Sequence, residues 1–185
     1  MLAACVVIGQ SLAACTSANN DPVPLPSITA SSRSTPSPTP TPTIDPAITQ
    51  AEAAILDAYR GYWAAKVASY ADPTKEQDPN LAHFAVDKAL TDAQSTILSL
   101  RTNGIAVVGT PVLSPVVSDT HLGDSATARI SDCVDVASWQ PIYTSTGGSA
   151  AAPGQALRVQ TDSTAYFFDG HWTIRTSVVN RDASC

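Results

Sequence analysis

This 185-residue sequence has few basic residues and no cluster of them. Its 10 Lys and Arg residues are outnumbered by 16 Asp and Glu residues, which gives a formal net charge of −6. The lysines are Lys66, Lys75 and Lys88, and they are spread along the chain. Nucleic acids and anionic membrane surfaces bind proteins through basic patches, so neither is an expected partner.

The sequence also lacks the short motifs of several common chemistries. It contains no Gly-x-Ser-x-Gly nucleophile elbow and no glycine-rich phosphate loop. It contains no Cys-x-x-Cys or His-x-x-x-His spacing, so we expect no metal site and no cofactor. The histidines are far apart in the sequence: His83 is interpreted as a partly buried structural side chain, and His121 and His171 are interpreted as solvated.

The sequence also lacks a long apolar run. Its N-terminal apolar segment is short. Residues 2–14 are nearly all apolar, which is too few to span a bilayer but typical of the apolar part of a signal peptide. The run ends in Leu12-Ala13-Ala14-Cys15, which resembles the lipobox of bacterial lipoproteins, whose cysteine thiol receives a diacylglyceryl group. We therefore predict a signal peptide at 1–14 and lipidation of Cys15, which would attach the protein to the outer face of the cytoplasmic membrane. The alternative is an ordinary apolar N-terminal element with buried thiols.

The positively charged start of a signal peptide is absent from the sequence, because the first basic residue is Arg33. We expect that start to lie upstream of Met1. Cys5 then falls inside the apolar part of the signal peptide and is removed with it.

Residues 15–45, which begin at the lipidated cysteine, are rich in Ser, Thr, Pro and Asn and show no helical or strand period. Such a composition cannot bury a core, and the Thr-Pro alternation at 35–43 favours polyproline II, which rises ~3.1 Å per residue. We predict a disordered tether that holds a folded domain away from the membrane. O-linked glycosylation and recognition as a proline-rich ligand are two other uses of such a segment.

The remaining segment, 46–185, is expected to form one α+β domain. Asp45-Pro46 fits the cap and first turn of a long helix whose large apolar residues share one face as far as Tyr70. A short second helix is predicted from Asp78-Pro79, and a third helix is predicted to end near Thr102.

Four strands are predicted after the helices because the apolar residues there alternate with a period of two, at 105–117, 126–139, 156–168 and 171–180. Asp169-Gly170 is a two-residue hairpin signal, and its register brings Asp162 near Arg175 as a cross-strand pair. Thr173 is predicted to lie on the face of the sheet that is exposed to solvent. The opposite face, which the helices are expected to bury, carries Val159, Ala165, Phe167, Trp172, Ile174 and Val178.

This order of elements, with the stretches AYRGYWAA, ARISDCVDVASW and YFFDGHWTI, resembles the NTF2-like superfamily, also called the cystatin-like α+β roll. It is most similar to the lipid-anchored members found in high-GC Gram-positive bacteria. The resemblance implies a curved four-stranded antiparallel sheet that wraps the first helix into a conical cavity, and homodimers through the outer sheet face. Members of the superfamily include isomerases, hydrolases and dehydratases as well as proteins that only bind or dimerise, so the fold does not select a function.

Two cysteines belong to the predicted domain, Cys133 on a strand and Cys185 at the end of the sequence. An exported protein meets an oxidising environment, so we predict a disulfide bond between them. Two free thiols are the alternative.

Asp132 is the candidate catalytic residue because it falls in phase with the core-facing Ile130 and Val134. A buried carboxylate must be ion-paired, hydrogen-bonded or raised in pKa, and such acids are common at active sites. Lys66, on the apolar face of the first helix, is the nearest candidate base. A one-residue bulge would instead turn Asp132 outward, away from the core.

These observations are consistent with two alternative functions from different classes. The first is a non-catalytic binding or assembly module at the cell envelope, with an envelope protein or a small apolar ligand as its partner. The second is a small-molecule enzyme of isomerase or hydrolase type that uses an acid in an apolar cavity. Four aromatic residues are candidates for the cavity wall, although packing in the core is their ordinary role: Tyr59, Tyr62, Trp63 and Trp172.

Overall fold

The computed structural model describes residues 45–180 and Cys185, which lie within one compact unit, Pro42–Cys185. The predicted signal peptide, the lipidation of Cys15 and nearly all of the predicted tether lie outside the described residues. Within the described part of the chain, no helix is both long enough and apolar enough to cross a membrane.

In the described part of the chain, three helices precede the strands, as predicted. They are α1 (Pro46–Ala71), α2 (Asn80–Phe84) and α3 (Asp87–Thr102). Asp45 caps α1 by accepting a hydrogen bond from the Ala47 amide at 2.8 Å, and Pro46 occupies the first turn, where no N–H is needed. The cap and the proline thus fix where α1 begins.

Six strands follow and form two antiparallel sheets. Strands β1 (Ile105–Gly109) and β4 (Trp139–Tyr143) pair with each other. The larger sheet has the strand order β2-β3-β5-β6 and consists of β2 (Val116–His121), β3 (Thr127–Asp135), β5 (Arg158–Phe168) and β6 (His171–Asn180). Helix α1 contacts β1, β2 and β6, so the fold is α+β with helices packed on antiparallel sheets.

The predicted strand 105–117 is wrong, because the structure divides it between the two sheets. Gly109 ends β1 with a φ of +89°, in close approach to the Ser138 carbonyl, where a side chain would clash. Pro111 and Pro115 then remove two backbone donors before β2 begins. The predicted strand 126–139 likewise stops early, and a turn from Val136 starts the separate strand β4.

The β5–β6 hairpin turns at Asp169-Gly170, where both residues have positive φ angles of 48° and 80°. The predicted register at the turn is confirmed, since Phe168 pairs with His171 and Ala165 with Ile174. Sequence reasoning placed the turn and the first pairs correctly because two-residue turns of this kind fix the register.

A bulge between Thr164 and Ala165 shifts the register beyond the turn, and it overturns one prediction. Asp162 lies opposite Val178, and the predicted Asp162–Arg175 pair does not form. Arg175 instead donates to Asp87 of α3 at 2.8 Å. The bulge also reverses the phase of β6.

Three residues of the hairpin differ from their predicted burial, and the bulge accounts for one of them. Val178 is exposed because the bulge precedes it in β6. Phe167 is exposed near the hairpin tip, where its ring packs edge-on against Trp172. Thr173 is buried, and its hydroxyl donates to the Tyr166 carbonyl.

The predicted disulfide is confirmed. Cys133 on β3 and Cys185 are bonded, with their Cα atoms 5.8 Å apart. The bond links an inner strand of the larger sheet to the end of the sequence across a separation of 52 residues.

Candidate functional site

Asp132 points into the core, as the alternation of β3 predicts, and its side chain is only 1% exposed. The Tyr59 hydroxyl donates to one carboxylate oxygen at 3.1 Å, and the Ser114 amide donates to the other at 2.7 Å. Burial raises the pKa of the Asp132 carboxyl, and the two hydrogen bonds offset part of that rise. Asp132 thus links α1, β3 and the connection between β1 and β2.

Of the outcomes expected for a buried carboxylate, hydrogen bonding is the one observed, and Lys66, the nearest candidate base, does not pair with Asp132. No ion pair joins them, and Lys66 Nζ lies 4.0 Å from the centroid of the Trp63 ring. The reason is distance along the helix, because seven residues separate Lys66 from Tyr59, which amounts to about 10 Å. Tyr59 reaches Asp132, and Lys66 lies two turns further towards the end of α1.

Lys66 lines a cavity of about 340 Å³, here called the Lys66 cavity. The cavity is lined by α1, α3 and strands of both sheets. Its wall is mostly aromatic and aliphatic, and it consists of Trp63, Lys66, Tyr70, Thr96, Val107, Val136, Trp139, Pro141, Gln155, Val159 and Val179. A volume of this size is at the lower end of the range for small-molecule sites.

The ammonium of Lys66 has no acidic partner in the Lys66 cavity. The side chain is 9% exposed, and in the described part of the chain no carboxylate lies within 4 Å of its Nζ. Burial lowers the pKa of Lys66 to about 8. Its described contacts are cation–π contacts with the rings of Tyr62, Trp63 and Tyr70.

Two tryptophans of the same wall carry buried N–H groups without an acceptor. The Nε1 atoms of Trp63 and Trp139 are inaccessible and have no hydrogen-bond partner among the described residues. Burial raises the pKa of the Tyr59 hydroxyl, and the nearby Trp63 indole offsets part of that rise. Trp139 packs edge-on against Trp63 and stacks on Tyr70, with centroids 5.6 and 5.9 Å apart.

The tyrosines around Lys66 stay neutral at physiological pH. Burial raises the pKa of Tyr70 to about 12 and raises that of Tyr62 further. Asp92 of α3 adds to both rises through its charge, although it is ion-paired with Lys88 at 2.8 Å. The Lys66 cavity therefore contains one titratable cation and no anionic group of its own among the described residues.

A second cavity, of about 480 Å³, lies between α1, α2 and the tip of the β5–β6 hairpin. His83 and His171 stack on its wall with their centroids 4.4 Å apart. His171 Nε2 lies 2.9 Å from the His83 carbonyl, so the two rings hold α2 against the hairpin. His83, interpreted from the sequence as partly buried, is exposed.

The four aromatic candidates for a cavity wall lie in different places. Tyr59 is fully buried and bonded to Asp132, and Tyr62 is buried beside Lys66. Trp63 lines the Lys66 cavity, whereas Trp172 lines the second cavity. Asp132 lines neither cavity.

Sequence reasoning missed Trp139, which was treated as the end of a core strand. Its role depends on β4 belonging to a separate sheet, which brings it onto Trp63 and Tyr70. The sequence gives only a weak indication of this role, namely a bulky aromatic residue just after the alternation of β3 ends. Across the described residues, no group of three or more His, Cys, Asp and Glu side chains is placed to bind a metal ion.

No family model and no curated protein matches the sequence. Among solved structures, the chain is similar to the intermembrane space region of the chloroplast protein ARC6, with 12% sequence identity and a TM-score of 0.40. The match covers 76% of this chain and 99% of that one. A similarity this low carries no argument about function.

Proposed function

We propose that this protein is a lipid-anchored extracytoplasmic binding module without catalytic activity, and that it holds a small ligand in the Lys66 cavity. The observation that carries the proposal is the buried ammonium of Lys66, which lies on the cavity wall without an anionic partner among the described residues. A buried charge without a partner costs stability, and such costs are commonly accepted where a protein binds its ligand.

Two features support the location. Leu12-Ala13-Ala14-Cys15 followed by the Ser/Thr/Pro-rich segment 15–45 is the order of a lipid anchor and a tether. The Cys133–Cys185 disulfide is typical of proteins outside the reducing cytoplasm.

The surroundings of Asp132 support a non-catalytic role for the buried acid. Its two oxygens accept hydrogen bonds from the buried Tyr59 hydroxyl and from the Ser114 amide in the connection between β1 and β2. A general acid or base must reach its substrate, and Asp132 is 1% exposed and lines neither described cavity.

An enzyme of isomerase or hydrolase type that uses Asp132 is the second candidate. The observation in its favour is the pKa of Asp132, which burial raises towards the range of a general acid. In that case, Asp132→Asn would abolish turnover of any substrate found by screening. In the proposed binding module, Asp132→Asn leaves ligand binding unchanged.

Fractionation of cells tests the anchor. With a complete signal peptide, the wild-type protein is expected in the membrane fraction and Cys15→Ala in the soluble extracytoplasmic fraction. Cys5→Ala is the matched control, because Cys5 lies in the segment expected to be removed. Membrane retention of Cys15→Ala would contradict the lipid anchor.

A thermal-shift screen of small molecules against the full-length protein tests the binding function. Hits are expected to lose their effect in a cavity-filling variant, Val159→Phe, because Val159 lies on the cavity wall. Val116→Phe is the control, since Val116 is an exposed position of the larger sheet. Hits that act equally on all three proteins would place the binding site elsewhere.

A further inference from the structure

We infer that the ligand of the Lys66 cavity is a small carboxylic acid with an apolar body, bound with its carboxylate on the Lys66 ammonium. The inference rests on the proposed function and adds the chemical class of the ligand. It follows from the charge, the donors and the shape of one cavity wall.

The charge of the wall selects an anion. Lys66 Nζ lies 4.0 Å from the Trp63 ring centroid and 5.0 Å from that of Tyr62, so aromatic faces are its described partners. A neutral or cationic ligand would remove the remaining water from this ammonium and offer it no compensating charge. A carboxylate supplies that charge together with acceptors for the N–H groups of Lys66.

The hydrogen-bonding groups of the Lys66 ammonium are donors. The ammonium has no acceptor of its own, and its described contacts are aromatic rings. A ligand that brings acceptor oxygens complements these donors, whereas a ligand that brings only further donors does not. The indole N–H groups of Trp63 and Trp139 are inaccessible and take no part in this contact.

The single cation on the wall matches a monoanion better than a dianion. The described wall contains no arginine and no second lysine beside Lys66. A phosphate monoester carries nearly two charges at pH 7, so one charge would stay uncompensated against the apolar wall. One carboxylate balances one ammonium.

The rest of the wall fits an apolar body of limited size. Four valines, Val107, Val136, Val159 and Val179, lie on the wall with the aromatic rings. The volume of about 340 Å³ accommodates one ring or a short alkyl chain, and it is too small for the two acyl chains of a membrane lipid. The ligand class is therefore a short aliphatic or arylalkyl carboxylate.

A matched series of probes tests this inference on the full-length protein. The probes are 3-phenylpropionate, the neutral 3-phenylpropionamide and the dianionic 2-phenylethyl phosphate, with dissociation constants measured by ligand-observed NMR. The proteins are wild type, Lys66→Met, which removes the charge at nearly constant volume, and Lys75→Met. Lys75 is the control because its side chain is 78% exposed and pairs with Asp72 outside the cavity.

The wild-type protein and Lys75→Met are expected to bind the acid at least about tenfold more tightly than the amide, because a charge-assisted contact distinguishes them. Lys66→Met is expected to lose this preference while still folding, as checked by circular dichroism. The phosphate is expected to bind more weakly than the acid.

Three results would overturn the inference in distinguishable ways. Equal binding of acid and amide, or a preference that survives in Lys66→Met, would refute the carboxylate and leave the cavity as a ligand site. Tighter binding of the phosphate would replace the carboxylate by a dianion. Binding of none of the probes, together with no hit in the thermal-shift screen, would refute the proposed function as well.

Discussion

The Tyr59 hydroxyl donates a hydrogen bond to the Asp132 carboxylate across 3.1 Å and so ties the middle of α1 to β3. The second carboxylate oxygen holds the Ser114 amide, which fixes the connection between β1 and β2. This connection crosses from the smaller sheet to the larger one. A single buried acid therefore holds together three parts of the fold.

Substitutions of Asp132 should separate its hydrogen bonds from its charge. Asp132→Val is expected to destabilise the protein by about 1–3 kcal/mol, because the buried Tyr59 hydroxyl and the part-buried Ser114 amide lose their acceptor. Asp132→Asn keeps an acceptor for Ser114 and a polar partner for Tyr59, so its effect should stay within about 1 kcal/mol. Chemical denaturation at pH 7 measures both values.

The pH dependence of the same pair of proteins provides an independent check. The pKa of Asp132 is raised in the folded state, so its contribution to stability is largest at low pH and falls as pH rises above the unfolded value of about 4. The stability of wild type relative to Asp132→Asn should therefore decrease between pH 4 and pH 7. A constant difference over this range would show that Asp132 has an ordinary pKa.

Removal of the Lys66 charge should stabilise the ligand-free protein. The folded-state pKa of Lys66 is about 8, against 10.5 for the free side chain, so the unfolded chain binds more protons between these two pH values. Wild-type stability relative to Lys66→Met should therefore rise from about pH 8 to pH 10.5 and be constant at lower pH.

At pH 7, Lys66→Met is expected to be more stable than wild type by up to about 3 kcal/mol. The loss of the cation–π contacts reduces this gain. Lys75→Met serves as the reference for a lost surface charge. A Lys66→Met protein that is less stable than wild type at every pH would show that Lys66 is a structural residue.

The Cys133–Cys185 bond should contribute measurably to stability. It closes a loop over 52 residues, which predicts a stabilisation of about 4 kcal/mol in the chain-entropy model. Cys185→Ser and the reduced wild-type protein should therefore melt at similarly lowered temperatures. Peptide mapping without reduction should recover the two cysteine peptides linked, and alkylation of both thiols in the native exported protein would contradict the bond.

The sequence predicted those parts of the fold that depend on local rules. The Asp45-Pro46 start of α1 and the Asp169-Gly170 turn each follow from the backbone preferences of two residues. The inward direction of Asp132 follows from the alternation of β3, which runs without a bulge against β5.

The remaining features depend on long-range contacts that no local pattern specifies. The bulge at Thr164 and Ala165 has no proline or glycine to mark it, so the position of Val178 was mispredicted. The pairing of β1 with β4 joins segments about 35 residues apart, and it creates the contact between Trp139 and Trp63. The Lys66 cavity could not be predicted for the same reason.

The central claim, that Lys66 meets a carboxylate in its cavity, is tested most directly by an NMR pH titration of the lysine side chains. The chain has three lysines, so selective ¹³Cε labelling gives three signals, and Lys66→Met assigns the relevant one. Without ligand, the Lys66 signal should titrate near pH 8. Saturating 3-phenylpropionate should raise the pKa of Lys66 by about one unit or more and leave the other two unchanged, because the bound carboxylate stabilises the ammonium. A Lys66 signal that titrates near the ordinary lysine value of 10.5, or that does not respond to the acid, would contradict the account.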